Sequence, residues 1–165
     1  MLENWIYIGN DLGKNGTTIR VPKIATMYPN AESQLTEAIE QQGFSNSYQI
    51  SQDPRVIPQR RWLRRYFIDE LPQVFYNVFL KRNMSLVGVR PKSEKYWDFY
   101  PRTHKKRSLQ HKPGFLGVTK YDPSRTALQC ERRYLAEKKL HPFCTDIKYA
   151  LVIIYNILTR KAKGE

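Results

Sequence analysis

A mostly helical α+β domain with one small β-hairpin is the fold class this sequence predicts, and three observations carry the prediction. Leu71, Val74, Phe75, Val78 and Phe79 fall at i, i+3, i+4, i+7 and i+8, one apolar helical stripe directly after Asp69-Glu70. Residues 145–160 are apolar nearly all round from Tyr149 to Leu158, over a length that suits a helix rather than a strand. Residues 5–9 and 18–24 can pair as a hairpin across the turn-rich run from Gly9 to Gly16. At 165 residues the chain reads as a single domain, 1–165, long enough to bury a core. It holds no internal repeat, low-complexity tract or obvious linker.

The elements follow in order. After the hairpin, Asn30 caps a helix through about Gln42, with Leu35, Ala38 and Ile39 inward. Gly43 to Pro54 reads as loop, and a basic helix follows over about 58–66. The next helix starts at Asp69-Glu70 and runs to about Lys81, with Pro72 in the first turn, where its missing N–H has no partner to lose. Both carboxylates then meet the free N–H groups and partial positive charge of a helix start, which keeps a carboxylate ionised as a nucleophile or metal ligand requires. The bland alternative is an Asp N-cap followed by a first-turn Glu with no chemical role. Met84 to Val89 reads as a strand ending on Arg90-Pro91; Pro91 holds Arg90 extended, so its guanidinium projects from a rigid base. A helix around 93–100 carries Tyr96, Trp97, Phe99 and Tyr100, which suit a core better than a membrane-interface belt. Lys112-Pro113-Gly114 makes a turn and residues 125–140 a helix. In the last helix Thr145 is the expected N-cap and Asp146 complements the dipole. That helix is by default buried; the alternative is a membrane-lying helix with a basic end at Arg160, Lys161 and Lys163.

Lys and Arg exceed Asp and Glu by 28 to 15, a formal charge of +13, which suits nucleic acid, an anionic membrane surface or phosphorylated substrates. No helix-turn-helix, RNP or zinc-finger pattern supports nucleic acid as the partner. Cys130 and Cys144 make no disulfide framework and fit a reducing cytosol. His104, His111 and His141 lack metal-motif spacing. No apolar run approaches the ~18–20 residues that span a bilayer, and Met1-Leu2-Glu3-Asn4-Trp5 lacks the basic start of a secretory signal.

Several motifs point the same way. The chain carries Asp53-Pro54-Arg55-Val56, then Leu63-Arg64-Arg65-Tyr66-Phe67-Ile68-Asp69-Glu70-Leu71-Pro72-Gln73-Val74, Asn77-Val78-Phe79-Leu80, and Met84 to Pro91. In order and spacing, over roughly forty residues, this resembles the bacterial sugar transferase family, the monotopic phosphoglycosyl transferases. Their stretch reads D-P-R-V, then L-R-R-x-S-[IL]-D-E-L-P-Q-L-x-N-V-L-x-G-[DE]-M-S-L-V-G-P-R-P. Lys23-Ile24-Ala25-Thr26-Met27 resembles the family's K-F-R-T-M, with Gly16 at its hairpin glycine. Lys112-Pro113-Gly114 and Asp146-Ile147-Lys148 resemble K-P-G-I-T-G and D-L-K-I, which extends the likeness to about residues 16–160.

The resemblance implies a catalytic domain that takes a phospho-sugar from a nucleotide diphosphate sugar and gives it to a polyprenol phosphate, initiating glycan assembly. It implies Asp69 as the nucleophile that forms an aspartyl-phosphosugar, and Glu70 as its partner in holding Mg²⁺ or managing protons. Two adjacent carboxylates suit an oxygen-seeking divalent ion. Arg64 and Arg90 match family arginines that meet phosphate, a task for a planar bidentate donor. Arg125 falls one position from another family arginine. Asp146 matches a family acid near the active site, with the plain helix cap as the alternative. The implied location is peripheral, on the cytoplasmic face of the bacterial inner membrane, with a soluble chain as the alternative. Family members begin with a re-entrant hydrophobic helix, and this sequence starts just upstream of the hairpin that follows it. Departures cluster near the site: Ala25 replaces an arginine, Arg82-Asn83 replaces Gly-Asp/Glu, and Val89 replaces a proline. Val118-Thr119-Lys120-Tyr121 replaces G-x-A-Q-V. They leave a second expectation open, a catalytically retired relative that binds a partner, a membrane surface or a nucleotide sugar.

Overall fold

The first strands close as expected and run further than expected. β1 (Ile6–Leu12) pairs antiparallel with β2 (Thr18–Ile24), matching Ile6 to Ile24, Gly9 to Val21 and Leu12 to Thr18. The pairing absorbs half of the turn-rich run, and the chain reverses over a single 3₁₀ turn, Lys14–Gly16. Asn15 (φ 58°) and Gly16 (φ 74°) there take left-handed backbone, which these two residue types adopt most readily. Described in this computed structural model are residues 5–31, 33, 34, 36–38 and 53–159. One face of the hairpin buries Ile19 and Val21 against Met84, with Val78 and Phe115 alongside, while Ile6 and Ile8 stay exposed.

Asn30 does not cap a helix. Its φ of 70° is left-handed, and its carbonyl accepts from the Ser33 N–H and hydroxyl, which makes a turn. Residues 36–38 are helical with Ala38 buried; Leu35, Ile39 and the expected helix end near Gln42 lie outside the described residues. The chain returns with Met27 paired to Val56 and with Ile57 N–H donating to the Thr26 carbonyl, so the hairpin exit is tied to the basic helix. That helix is a 3₁₀ turn (Pro58–Arg60) running into α1 (Arg61–Arg65).

A second 3₁₀ turn, Ile68–Glu70, precedes α2 (Leu71–Gln73), and the backbone then widens into a π-helix over Val74–Leu80. The helix is real, and its apolar stripe is split: Val78 packs against Ile19, Val21 and Met84 and Val74 is half-buried, while the other stripe residues are exposed. Phe75 is 71% and Phe79 65% exposed, and Leu71 and Leu80 are exposed too, whereas Gln73 and Asn77 are buried. Gln73 Nε2 donates to Met84 Sδ at 3.3 Å. Neither polar atom of the Asn77 side chain meets a partner among the described residues. The two fully buried positions are thus polar, on the side where the helix meets β2 and Met84 and where Val78 also packs.

That strand, β3 (Ser85–Gly88), pairs in parallel with β4 (Gly114–Gly117), aligning Ser85 with Gly114 and Gly88 with Gly117. The backbones run so close that a Cβ on Gly88 would lie 2.8 Å from the Gly114 nitrogen. The connection carries α3 (Glu94–Trp97) and α4 (Arg102–Ser108). As predicted, the aromatics serve mainly the core: Trp97 and Tyr100 are buried with Val87, Val89, Val118, Tyr134, Tyr149 and Ile153. α5 (Ala127–Leu140) opens on a capping box between Thr126 and Gln129. α6 (Pro142–Leu158) starts three residues before the expected cap: His141 is the N-cap, Pro142 fills the first turn, and Thr145 is buried inside. Only one stripe of α6 is buried (Tyr149, Ile153, Asn156); Ile147, Leu151, Ile154, Tyr155 and Leu158 are exposed. It is therefore not the all-round buried helix that its composition suggests, and its expected basic end at 160–163 lies outside the described residues.

Candidate active site

The site starts from one backbone reversal. Phe67 (φ 58°) is left-handed and turns the chain from α1 into the Ile68–Glu70 turn, which tucks Asp69 and Glu70 under the surface at 7% exposure each. Neither is a capping side chain, so the expected N-cap geometry is replaced by a tight turn just ahead of α2. Left-handed backbone on a bulky residue is costly and recurs at functional sites.

Arg90, at the end of β3, reaches back and pairs with Glu70 through Nη2 and Oε1. Its stem lies across Gly117, where a Cβ would sit 2.7 Å from Arg90 Cδ, so that glycine leaves the arginine its path. Two lysines complete the group. Lys23 closes β2 on the same side of the strand as Ile19 and Val21. Lys120 ends the 3₁₀ turn Val118–Lys120 and places Nζ 3.2 Å from the centroid of the Phe67 ring. Asn156 of α6 fixes that turn by donating to the carbonyls of Lys120 (2.9 Å) and Tyr121 (3.0 Å).

These groups act on one another electrically. Burial first, then Arg90 and Arg64, lower the Lys23 ammonium to about 8 against the opposing pull of Asp11 and Asp69. Burial, then Arg90 and Lys23, push Lys120 well below an ordinary lysine, with Asp69 opposing. Burial and Arg64 likewise lower Arg90, while Asp69 and Asp11 raise it. Four cations (Lys23, Arg64, Arg90, Lys120) thus share a site with three carboxylates (Asp11, Asp69, Glu70). Such a partly buried cationic excess attracts phosphate, and arginine and lysine together supply forked and point-charge donors.

The structure brings four of the six sequence-predicted site residues together: Arg64, Asp69, Glu70 and Arg90. The other two lie in different surroundings. Arg125 pairs locally with Asp122 (2.8 Å), and Asp146 is held by Lys138 (2.9 Å) and the Tyr134 hydroxyl (2.7 Å). Lys23 and Lys120 were not among the predicted site residues. A lysine on the core-facing side of β2 was a usable signal for Lys23; Lys120 carries no local signal beyond standing where the family stretch has glutamine.

Among the described residues no cluster of three His, Cys, Asp or Glu side chains forms a metal site. Asp69 and Glu70 supply two carboxylates, a donor set that suits Mg²⁺ bound jointly with substrate phosphates and water.

The family model described as bacterial sugar transferase matches residues 2–159. The chain is 38% identical over 114 residues to a galactosyl transferase, CpsE, of Streptococcus agalactiae, covering 68% of this chain and 25% of that protein. It is 33% identical over 125 residues to an undecaprenyl-phosphate galactose phosphotransferase of Salmonella typhimurium, covering 68% and 24%. A UDP-N-acetylgalactosamine-undecaprenyl-phosphate N-acetylgalactosaminephosphotransferase of Aeromonas hydrophila is 32% identical over 114 residues, covering 68% and 24%. The chain spans about a quarter of the length of these relatives.

Proposed function

The chain belongs to the bacterial sugar transferase family, and on that premise we propose that it carries a phospho-sugar from a nucleotide diphosphate sugar to a polyprenol phosphate. The observation that carries this reading is the surplus of cations around two adjacent buried carboxylates. Glu70 pairs with Arg90, and the family resemblance makes the adjacent buried Asp69 the nucleophile of this reading. An Asp69 oxygen attacks the sugar-bearing phosphorus, the bridging P–O bond breaks, and the nucleoside monophosphate leaves with its electron pair. An oxygen of polyprenol phosphate then attacks the same phosphorus and displaces Asp69 as free carboxylate, yielding a polyprenol diphosphate sugar. Arg90 and Arg64 neutralise the phosphoryl oxygens as charge develops. Asp69 and Glu70 would hold Mg²⁺, which supplies further neutralisation of the diphosphate. Names of relatives that act on undecaprenyl phosphate support the acceptor class.

Incubation with UDP-galactose or UDP-N-acetylgalactosamine and Mg²⁺ should add one phospho-sugar mass to the peptide holding Asp69, and Asp69→Asn should abolish it. An adduct that persists in Asp69→Asn would refute this nucleophile; no adduct and no turnover in a folded chain would favour the retired relative.

We further propose that the chain works at an anionic membrane surface. Among the described residues no helix is long and apolar enough to cross a membrane. The support is the outward apolar faces of the helix over 71–80 and of α6, together with the +13 charge. Basic residues near an anionic surface contribute about 1 kcal/mol each and are screened by salt. Vesicle co-sedimentation should rise with anionic lipid and fall with salt; no binding to any vesicle would refute the attachment.

A further inference from the structure

We propose that Lys120 is a phosphate ligand of this site, with its ammonium held over the Phe67 ring and available to the donor's diphosphate. The inference rests on the transferase reading and adds to it a binding residue at a position where the chain departs from the family stretch. Its basis is geometric. Nζ lies 3.2 Å from the centroid of Phe67, two residues before Asp69, and no carboxylate is found paired with it among the described residues. The ring face is a weak counter-charge that a phosphate oxygen can outcompete once desolvated. Asn156 holds the turn from behind through two carbonyls, so the lysine is aimed by the backbone. Burial and the like charges of Arg90 and Lys23 disfavour the ammonium as it stands, so an incoming anion relieves a cost that the folded chain already bears.

Two departures from the family stretch also meet here, since Phe67 stands at its serine and Lys120 at its glutamine. Ala25 meanwhile removes an arginine from the exit of β2, a place where Arg60 now donates to the Ala25 carbonyl. Lys120 restores a cation to the group from the opposite element. The alternative is purely structural, a cation–π contact that braces the Phe67 reversal.

Calorimetric titration of the full chain with inorganic pyrophosphate in constant Mg²⁺ separates the two. Lys120→Met should weaken binding at least tenfold, Lys120→Arg should stay within about threefold of wild type, and Phe67→Leu, which removes the ring but keeps the cation, should retain affinity. Lys120→Met binding as tightly as wild type would overturn the proposal while leaving the Asp69 adduct, and so the transferase reading, intact. Phe67→Leu losing as much affinity as Lys120→Met, with a matching fall in melting temperature, would also overturn it and make Lys120 structural. If Lys120→Met does not fold, Lys120→Gln takes its place with the same criteria. Wild type that binds no pyrophosphate overturns the proposal directly, and the Asp69 adduct then decides whether the transferase reading falls with it.

Discussion

Replacing Arg90 by lysine tests the site at its best-defined contact. Arg90 pairs with Glu70, with side chains 22% and 10% exposed, and its stem lies across Gly117. Removing one partner of a fully buried pair costs about 3–5 kcal/mol, because the other charge is left uncompensated. Here the pair is partly wet, and Lys23 and Lys120 lie within electrostatic reach, so Arg90→Ala should cost about 2 kcal/mol. Arg90→Lys keeps the charge and should cost under about 1 kcal/mol in stability. It loses the fork, however, and a lysine that satisfies Glu70 cannot also grip a phosphoryl oxygen in the same plane. Turnover, read as release of nucleoside monophosphate from the donor, should fall at least tenfold, or about 1.4 kcal/mol of transition-state stabilisation. Thermal melts of the same samples separate catalysis from folding. Near-normal turnover in a folded Arg90→Lys variant would refute the phosphate role, and a collapsed melt would make the arginine structural.

Glu131 is 1% exposed and binds both Lys92 (2.8 Å) and His104 (2.6 Å). Glu131→Gln strands the Lys92 ammonium in the core and should cost about 3 kcal/mol, and a melting temperature equal to wild type would refute that. Lys23 gives up its proton at about pH 8 in the folded chain, against 10.5 for an ordinary lysine, so between those values the unfolded chain binds more protons and the Lys23 contribution to stability rises with pH. Pyrophosphate affinity should run the other way and fall about tenfold from pH 7 to 9 as the ammonium is lost; a flat profile would remove Lys23 from the phosphate site.

The fold and the site were legible to different depths, for reasons that lie in particular residues. Asp69, Glu70, Arg64 and Arg90 belong to one run of motif, so their chemistry could be read from neighbours in the chain. Lys23 and Lys120 reach the same place from β2 and from the turn after β4, and only the folded chain makes them neighbours. β4 is Gly-Phe-Leu-Gly, too short and glycine-rich to show a strand period. α4, Arg-Thr-His-Lys-Lys-Arg-Ser, shows no apolar period because its inward positions are His104 and Ser108, which bind the buried Glu131 network instead of packing as hydrophobes.

The helix after the carboxylates makes the sharper case. Its periodicity identified a helix but not its orientation, because a hydrophobic stripe reports that an apolar face exists and not what covers it. Leu71, Phe75 and Phe79 look outward while Gln73, Asn77 and the half-buried Val78 lie on the side of Met84 and β2. In water that arrangement is inverted on both counts: apolar area is left wet at about 25 cal/mol per Å², and the buried Asn77 amide lacks a partner among the described residues. A folding code aimed at water alone would rotate this helix by half a turn. The tether between the Ile68–Glu70 turn and β3 forbids that rotation, since Asp69 and Glu70 must face Lys23 and Arg90. The exposed apolar residues therefore sit where the Ile68–Glu70 turn leaves them. Under the proposed transfer to a polyprenol phosphate, that geometry would keep the carboxylates on the hairpin side and leave the exposed apolar residues free to meet lipid.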